Sequence, residues 1–493
     1  MLVRIAQFQY IILVLFCQQS APHIIINNSI NCLLYPDSQG EPMRIRNSLI
    51  KGTLVLTLTG LVSRLIGFFY RIFLSHVFGE EGMGIYQLIS PVMVLSYSIS
   101  CSGIQTAISK FVASEPTTKD YKTSLRVLYT GILLSCALAF PCAIFIYRYS
   151  DFLAANILLE IRCAPLLRIF ALSLPFGALH SCINGYYYGI QKTSVPAITQ
   201  LAEQLARVIS VYGIYHIFRM RNQTPAIALA LVGLLIGEAV SFLISAVMVF
   251  MRFSAKYLGT CLAKTASVYL LSPSKKVFST AKDILSLSVP LSANRIVVNI
   301  LQSIETIYIP SMLQVYGLTN SGALSIYGIL SGMALPLILF PSALTNSIAV
   351  LLLPIISEAE MSGNYLKIKK AVDKSILYCS VFGAFCTVSF LFFGRPLGNL
   401  LFNSAAAGSF ILTLSFICPF LYISSTMSSI LHGLGKAGIT FLCNVLGLVV
   451  RLFFVFFFIP RFGIKGYMWG LLVSQLTMTF FEIAAVKYYA RRH

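Results

Sequence analysis

Long apolar runs separated by short polar breaks dominate this sequence of 493 residues. A helix needs roughly 20 apolar residues to cross a bilayer core of about 30 Å. Runs of this kind follow one another from about residue 52 to residue 488. Charged residues make up only 11% of the chain, against about 25% in a typical soluble domain. The sequence therefore predicts an all-α polytopic membrane protein and excludes an ordinary soluble enzyme or a disordered chain.

The predicted membrane helices form two sets of six around a polar, basic connector. We expect an N-terminal extension outside the core at residues 1–42, where a short apolar stretch is a signal-like region or an extra helix. The N-lobe is predicted at 43–255, the cytoplasmic connector at 256–283 and the C-lobe at 284–493. The twelve predicted spans are 52–76, 84–109, 124–147, 165–188, 195–217, 226–250, 284–309, 324–353, 372–393, 408–431, 437–459 and 466–488.

The two sets of helices repeat each other in sequence. The segment YQLIS at 86–90 recurs as YGILS at 327–331, and Arg207 recurs 244 residues later as Arg451. An even number of spans in each half makes the repeat parallel, about an axis along the membrane normal. Transporters built this way hold the substrate between the halves and rock the halves to alternate access. The repeat therefore favours a transporter with a two-lobed bundle.

The formal net charge of +20 has two membrane explanations. Cytoplasmic loops are enriched in Lys and Arg, and a basic cavity can hold an anionic substrate. Almost all lysines fall on one side when the region before the first span is placed in the cytoplasm, so both termini are predicted to be cytoplasmic. We expect no nucleic-acid partner.

Charged and amide side chains inside the predicted spans indicate a cavity. A charge at mid-membrane is costly, so such a residue is a functional candidate. Arg64 and Arg71 are seven residues apart and share a face of the first span, although Arg71 can instead extend to the outer interface. Glu305 either pairs with an arginine or binds a proton or cation. The predicted cavity residues are Arg64, Arg71, Gln105, Arg295, Asn299, Gln302, Glu305 and Asn346.

A second group of charges serves ion coupling or structural pairing. Glu203 and Arg207 stand at i,i+4 and can form a pair within one helix, or Arg207 can pair with Glu238. Arg451 has no acid nearby in its own helix. His180 and His432 are read as packing or hydrogen-bonding residues rather than metal ligands, and the scattered cysteines as packing residues. The candidate coupling or structural charges are Glu203, Arg207, Glu238 and Arg451.

Motifs for membrane enzymes and ATP-driven pumps are missing from the sequence. It contains no Walker loop, no G-x-S-x-G and no H-E-x-x-H. We therefore expect no enzymatic activity, no metal and no cofactor. Transport is expected to run on an ion gradient, with H⁺ or Na⁺ as the coupling ion, on the membrane potential or on downhill substrate flow.

Five segments resemble one family over residues 43–493. They are KGT at 51–53, SRLIGFFYRIFLS at 63–75, GEEGMGIYQL at 79–88, GIQTAIS at 103–109 and GIKGYMWG at 463–470. They are similar to the stage V sporulation protein B group of polysaccharide-export flippases, in the multidrug/oligosaccharidyl-lipid/polysaccharide (MOP) exporter superfamily. The resemblance implies a two-lobed helical transporter of lipid-linked saccharides at the bacterial plasma membrane, associated with spore-cortex peptidoglycan in endospore formers.

The resemblance also gives Arg64 a role. In related MurJ lipid II flippases, cavity arginines bind the pyrophosphate head group, and Arg64 falls on such a position. The match then breaks, because Tyr70 and Arg71 stand where those proteins usually have Arg-Asp. We also find no counterpart of the two helices that follow the twelve in those proteins. The particular saccharide therefore stays open.

The function predicted is a flippase or exporter of a prenyl-pyrophosphate saccharide that works by alternating access as a monomer, with an anionic lipid-linked saccharide as partner. A cation-coupled multidrug exporter of the same superfamily is the main alternative, and it would need an acidic cavity. A non-transporting scaffold for cell-wall synthases is an alternative of another class, and it would need no mid-membrane arginines.

Overall fold

The computed structural model of the chain describes residues 42–114, 121–257 and 275–491, with side chains over 56–114, 123–252 and 278–489. Every regular element in these ranges is helical, which confirms the predicted all-α class. Gly52–His493 form one compact unit. Residues 1–41 of the predicted extension lie outside the described residues.

The first half of the described chain ends at residue 257. Two π-helical segments, Ser98–Ser102 and Leu153–Ile157, and a 3-10 turn, Ile161–Cys163, lie between its α-helices. These helices are α1 (Pro42–Leu88), α2 (Ser90–Tyr97), α3 (Gly103–Ser114), α4 (Tyr121–Arg148), α5 (Ser150–Phe152), α6 (Ala164–Gly189), α7 (Ser194–Met220) and α8 (Ala228–Tyr257).

The second half begins at Lys275, so the last part of the predicted connector is helical, and residues 258–274 of it lie outside the described ranges. A π-helical segment at Ile329–Ala334 and a 3-10 turn at Ser415–Ile417 interrupt this half. Its helices are α9 (Lys275–Val315), α10 (Asn320–Gly328), α11 (Leu335–Leu339), α12 (Ser342–Met361), α13 (Tyr365–Phe402), α14 (Ala405–Leu414), α15 (Cys418–Gly433), α16 (Ala437–Phe457), α17 (Ile459–Phe462) and α18 (Ile464–Arg491).

Eleven helical stretches of the described residues are long and apolar enough to cross a membrane. They agree with the predicted spans, with three differences. The first two spans form one stretch, Leu56–Ser114, which breaks at Gly79, where φ is 69° and glycine is favoured. The eighth span is divided into Asn320–Leu339 and Ser342–Met361. The fifth span is α7, a helix of 27 residues with an acid and an arginine at mid-length, and it is not among the eleven.

Each half packs mainly on itself. In the first half α6 packs against α4 and α8, and α8 packs against α7. In the second half α15 packs against α12, α13 and α18, and α16 packs against α18. Helix α9 also packs against α2 and α3 of the first half. It therefore runs along the seam between the halves.

Glycines allow close approach at two points of this seam. A Cβ atom on Gly84 would lie 2.1 Å from the carbonyl oxygen of Leu324, and one on Gly103 would lie 2.6 Å from that of Ser288. Neither position can hold a larger residue unless the backbones separate. The chain between the two glycines, from the end of α1 through α2, therefore faces the second half between two tight contacts.

Candidate functional site

A cavity of about 260 Å³ opens between these two contacts. Its walls come from the end of α1 and α2 in the first half, and from α9, α10, the following π segment, α16 and α18 in the second half. Small-molecule sites usually enclose about 300–1,000 Å³, so in this conformation the cavity has room for one part of a ligand. The polar residues along it are Gln87, Ser90, Asn299, Gln302, Ser303, Glu305, Thr306, Tyr327, Ser331, Arg451 and Tyr467.

Helix α9 supplies the amide groups of the cavity. Asn299, Gln302 and Thr306 follow one another at helical spacing, so they share the face of α9 that lines it. The side-chain amide of Asn299 donates a hydrogen bond to Ser98 Oγ at 2.6 Å, which ties α9 to the first half. Gln302 is exposed and its amide is available to a ligand. Both predicted amides of α9 therefore lie at the cavity.

An ion pair forms the charged wall of the cavity. Arg451 Nε lies 3.3 Å from Glu305 Oε1, and Tyr467 Oη donates a hydrogen bond to the same oxygen at 2.7 Å. Glu305 is 5% exposed, whereas the side chain of Arg451 is 24% exposed. Glu305 was expected either to pair with an arginine or to bind a proton or cation, and the pairing is confirmed. Part of the Arg451 side chain remains exposed.

The predicted cavity arginines Arg64, Arg71 and Arg295 have no acidic partner among the described residues. Arg64 and Arg295 are exposed and Arg71 is half-buried. None of them lines the cavity described above. Arg295 precedes Asn299 by one helical turn on the same face of α9, so it lies at the approach to the cavity.

Arg64 and Arg71 lie on a face of α1 that is open. Gly60 and Gly67 lie on this face, and a Cβ atom on either would meet no atom within 4 Å. Phe68 lies one turn after Arg64, and the centroid of its ring is 5.2 Å from that of Phe340 in the second half. The arginine-bearing face of α1 therefore borders the second half next to unfilled space.

The two predicted cavity amides Gln105 and Asn346 occupy equivalent places in the two halves. Ser181 Oγ donates to Gln105 Oε1 at 2.9 Å, and Ser425 Oγ donates to Asn346 Oδ1 at 2.5 Å. The two serines are 244 residues apart, as are Arg207 and Arg451. Neither amide lines the described cavity. Both join helices within one half, and a role in substrate binding remains a prediction for them.

A charged cluster lies inside the first half. Arg207 Nη2 donates to Glu203 Oε1 at 2.5 Å, so the predicted i,i+4 pair is present. Glu238 instead accepts a hydrogen bond from Tyr97 Oη at 3.0 Å. The Nδ1 atom of His180 lies 3.8 Å from Glu238 Oε2, and this carboxylate oxygen has no hydrogen-bond partner among the described residues.

The members of this cluster come from different helices. One ligand atom each from His180, Glu203 and Glu238 lie within 4.8 Å of one another, a spacing that suits a bound cation. His180 also contacts Asn184 at 2.6 Å and Ser241 at 2.9 Å through Nε2, which confirms its predicted hydrogen bonding. Sequence analysis identified His180 as an isolated histidine, because no sequence pattern shows that α6, α7 and α8 converge at this point.

Polar contacts join the two halves at the end of the bundle where α10 begins. Glu160 Oε2 accepts a hydrogen bond from Asn320 Nδ2 at 2.9 Å, and Arg162 bridges Glu160 and Glu81 at 2.7 and 2.8 Å. Ser404 Oγ of the second half donates a hydrogen bond to Glu80 Oε1 at 2.6 Å. We call these residues the end latch.

Two opposing effects act on the pKa of Glu160. Burial of its carboxyl group favours the neutral form, but the hydrogen bonds from Arg162 and Asn320 favour the anion and outweigh burial. The pKa of Glu160 is therefore held below its usual value, and Glu160 is ionised at neutral pH.

Sequence reasoning missed several of these residues. Tyr467 lies in the 463–470 motif, so a signal for it was present, but nothing along the chain connects it with Glu305. Tyr97, Glu160 and Asn320 stand at span ends or on apolar faces, and their partners are distant in sequence. These contacts depend on tertiary packing, which short-range patterns do not encode.

Comparison with known proteins agrees with this architecture. The sequence profile of a family described as polysaccharide biosynthesis protein matches residues 49–360. The chain is 26% identical over 444 residues to stage V sporulation protein B of Bacillus subtilis, covering 90% of this chain and 84% of that protein. It is 23% identical over 434 residues to the lipid II flippase MurJ of the same organism, covering 82% and 76%.

Solved structures show the same fold. An inward-facing multidrug resistance transporter of the MATE family, in the MOP superfamily, superposes with a TM-score of 0.63 at 16% identity, covering 87% of this chain and 94% of that one. A MOP-superfamily transporter from Pyrococcus furiosus superposes with a TM-score of 0.61 at 15% identity, covering 90% and 95%. The chain has the fold of the transporters and flippases of this superfamily. It belongs to the polysaccharide biosynthesis protein family.

Proposed function

We propose that this multi-pass membrane transporter moves a prenyl-pyrophosphate saccharide, a precursor of a cell-wall or spore-cortex polysaccharide, across a bacterial plasma membrane by alternating access. In this proposal residues 43–255 and 284–493 are the two lobes, and both termini lie in the cytoplasm. The polar cavity at the seam between the halves carries the proposal, and the arginines of α1 and α9 that have no acidic partner among the described residues support it.

The cavity lining suits a sugar. Sugars are bound through hydroxyl groups, which need neutral donors and acceptors in fixed positions. Gln302, Ser331 and Thr306 offer an amide and two hydroxyls from two different elements of the second half, and Gln87 adds an amide from the first. A cavity of about 260 Å³ admits one sugar ring at a time. A head group with several rings is larger than the cavity, so it can cross only if the halves separate, as alternating access provides.

The arginines suit a pyrophosphate. Guanidinium groups match phosphate oxygens through paired hydrogen bonds, and an arginine inside an apolar span is costly without an anion or water. Arg64, Arg71 and Arg295 have no acid partner among the described residues. Arg451 is balanced by Glu305. The balance of charge at the seam is therefore positive, which favours an anionic cargo over a cationic drug.

The open face of α1 gives the lipid tail a route. The phenyl rings of Phe68 and Phe340, 5.2 Å apart, mark where α1 meets the eighth span. The unfilled space at Gly60 and Gly67 lies beside this contact. We propose that the prenyl chain stays in lipid along this boundary while the head group crosses between the halves.

The coupling ion is proposed to act in the first half. Glu203, Glu238 and His180 offer atoms close enough to share a proton or a sodium ion, and one Glu238 oxygen lacks a hydrogen-bond partner there. Arg207 holds Glu203 from the other side. A cation bound to Glu238 would compete with the hydrogen bond from Tyr97 on α2, which lies on the seam.

Liposomes containing the purified protein test the proposal. Fluorescent prenyl-pyrophosphate saccharides with different head groups would be added, and reduction by an impermeant quencher would report the fraction on the outer leaflet. We expect flipping that depends on the pyrophosphate, and none for a prenyl alcohol carrying the same fluorophore. Uptake of a cationic drug without lipid flipping would favour the drug exporter, and no transport of either would favour the scaffold.

A further inference from the structure

A buried carboxylate of the second half takes no part in the cavity. Glu482 of α18 is 0% exposed. Its Oε1 accepts a hydrogen bond from Ser428 Oγ at 2.5 Å, and its Oε2 accepts one from Ser424 Oγ at 2.6 Å. The two serines stand one helical turn apart on α15, so both hydroxyls are directed at α18.

No ion pair among the described residues includes Glu482. The thiol of Cys443 on α16 lies near it, and Cys379 of α13 contacts Thr426, which lies between the two serines on α15. The cation of α16, Arg451, is engaged at the cavity, and Lys436, just before α16, lies over a tyrosine ring at 4.9 Å. The charged residues of α13 are exposed, and α14 has none. The other ionisable residues of α15 and α17 are Cys418, Tyr422, His432 and Arg461, the last two exposed.

These surroundings favour a neutral carboxyl group. An anion without a counter-charge is strongly disfavoured in a low-dielectric interior, and a carboxyl group in that position takes up a proton instead. A protonated carboxyl donates one hydrogen bond and accepts others, and serine hydroxyls rotate to do either. Glu482 and its two serines can therefore satisfy one another in the protonated form without rearrangement.

We propose that Glu482, Ser424 and Ser428 form a proton-binding site in the second half, and that Glu482 carries its proton in this conformation. The proton comes from water and returns to water, with no other bond made or broken. Since Glu482 has no exposed surface, exchange requires α15 and α18 to part far enough to admit water.

The equivalent helix pair of the first half, α6 and α8, also has a polar contact. Ser424 and Ser428 lie 244 residues after His180 and Asn184, and His180 is contacted from α8 by Ser241 at 2.9 Å. The repeat therefore keeps a hydrogen-bonded cluster at one place in both halves, with different titratable groups. In the second half the carboxylate is the group that holds the proton.

Helix α15 connects this site to the rest of the second half. Its other serine pair is directed at α12: Ser425 bonds Asn346, and Ser429 bonds the carbonyl oxygen of Ala349. A change at the α15–α18 contact would therefore reach α12. This coupling rests on the proposed transport function, whereas proton binding does not.

Infrared spectroscopy of the full-length protein in lipid tests proton binding directly. The carbonyl stretch of a protonated, buried carboxylic acid would be followed against pH in the wild type, Glu482→Gln and Glu358→Gln. Glu358 is the matched control because its side chain is 74% exposed. We expect a band that persists above the pKa of an exposed glutamate, that is lost in Glu482→Gln and kept in Glu358→Gln. An identical band in Glu482→Gln would overturn the proposal.

A second pair of variants guards against misfolding. Ser424→Ala and Ser428→Ala keep the carboxyl group but each remove one hydroxyl, so they should shift the band and its titration rather than delete it. Unchanged spectra in both would also contradict the site. In flipping liposomes, Glu482→Gln should lose stimulation by a proton gradient. A Glu482 band without any lipid flipping would reject the transport function and keep the proton site.

Discussion

The ion pair of Arg451 and Glu305 shows how single side chains set the character of the cavity. Glu305 is nearly buried and is held by both Arg451 and Tyr467. Because the carboxylate of Glu305 balances the charge of Arg451, this wall of the cavity is polar but close to neutral in net charge. The arginine that lines the cavity is Arg451, whose guanidinium is partly exposed.

Replacing Glu305 with Gln should destabilise the protein, because the change leaves Arg451 without its counter-charge. Removing one partner of a buried pair costs about 3–5 kcal/mol, and the partial exposure of Arg451 places this pair at about 3 kcal/mol or below. Thermal unfolding in detergent would show a lower Tm for Glu305→Gln. The double variant Glu305→Gln/Arg451→Met should regain most of the loss. Equal Tm values for the wild type and the single variant would show that the pair contributes nothing.

The seam between the halves is organised by elements rather than by single residues. Helix α9 follows it with its amide face on the cavity, and the end of α1 and the start of α10 meet at the end latch. The ion pairs of the latch lie within the first half, and the hydrogen bonds from Asn320 to Glu160 and from Ser404 to Glu80 join the halves. The strength of these contacts bears directly on how easily that end opens.

Glu160→Gln should loosen the end latch while leaving each half folded. The variant keeps the shape of the side chain but removes the charge that holds Arg162. Hydrogen exchange should become faster at 161–163 and at the start of α10. Asp151→Asn is the control, because it breaks the exposed pair with Arg168 without touching the seam. Unchanged exchange at α10 in Glu160→Gln would mean that the latch does not hold the halves together.

The latch also predicts a pH dependence. The pKa of Glu160 is lower in the folded protein than in the unfolded chain, so the unfolded state binds the proton more readily. Its stabilisation is present above the usual glutamate pKa of about 4.3 and is lost as the pH falls through the folded value. The difference in Tm between wild type and Glu160→Gln should therefore shrink in acid. A difference that grows as the pH falls would reverse the sign and contradict this account.

The elements were largely predictable, and the site only in part. Hydropathy predicted the spans because membrane helices must satisfy their own backbone and face lipid. It missed the division of the eighth span, where Pro341 separates Asn320–Leu339 from Ser342–Met361. Asn299, Gln302 and Glu305 were placed at the cavity by helical spacing alone. The end latch and the Glu482 site were not predicted, since their partners lie on different helices.

At the scale of the whole molecule, the sequence repeat reappears as a repeat of contacts. Gln105 with Ser181 and Asn346 with Ser425 join corresponding helices of the two halves. The halves differ in their buried charges: the first holds Glu203 and Glu238 inside its helix bundle, whereas the second holds Glu482 inside its bundle and directs Glu305 at the cavity. The two halves therefore share a contact pattern but differ in their charged residues. This combination is consistent with the proposal that the halves rock as units, and that the coupling ion and the cargo bind to different residues.

The proposed roles of the arginines predict a selective loss of transport. Arg64→Ala and Arg295→Ala remove guanidinium groups that have no structural partner among the described residues, so both variants should insert and fold normally. Arg219→Ala is the control, because Arg219 is also exposed but lies at the end of α7, away from the seam.

The most direct test of the central claim is the initial rate of prenyl-pyrophosphate saccharide flipping in liposomes containing equal amounts of each variant. Loss of one charge-assisted phosphate contact, about 1.5–3 kcal/mol, predicts a rate roughly 10- to 100-fold lower for Arg64→Ala and Arg295→Ala, with Arg219→Ala matching the wild type. Wild-type rates in both seam variants would contradict the claim that these arginines carry an anionic lipid head group.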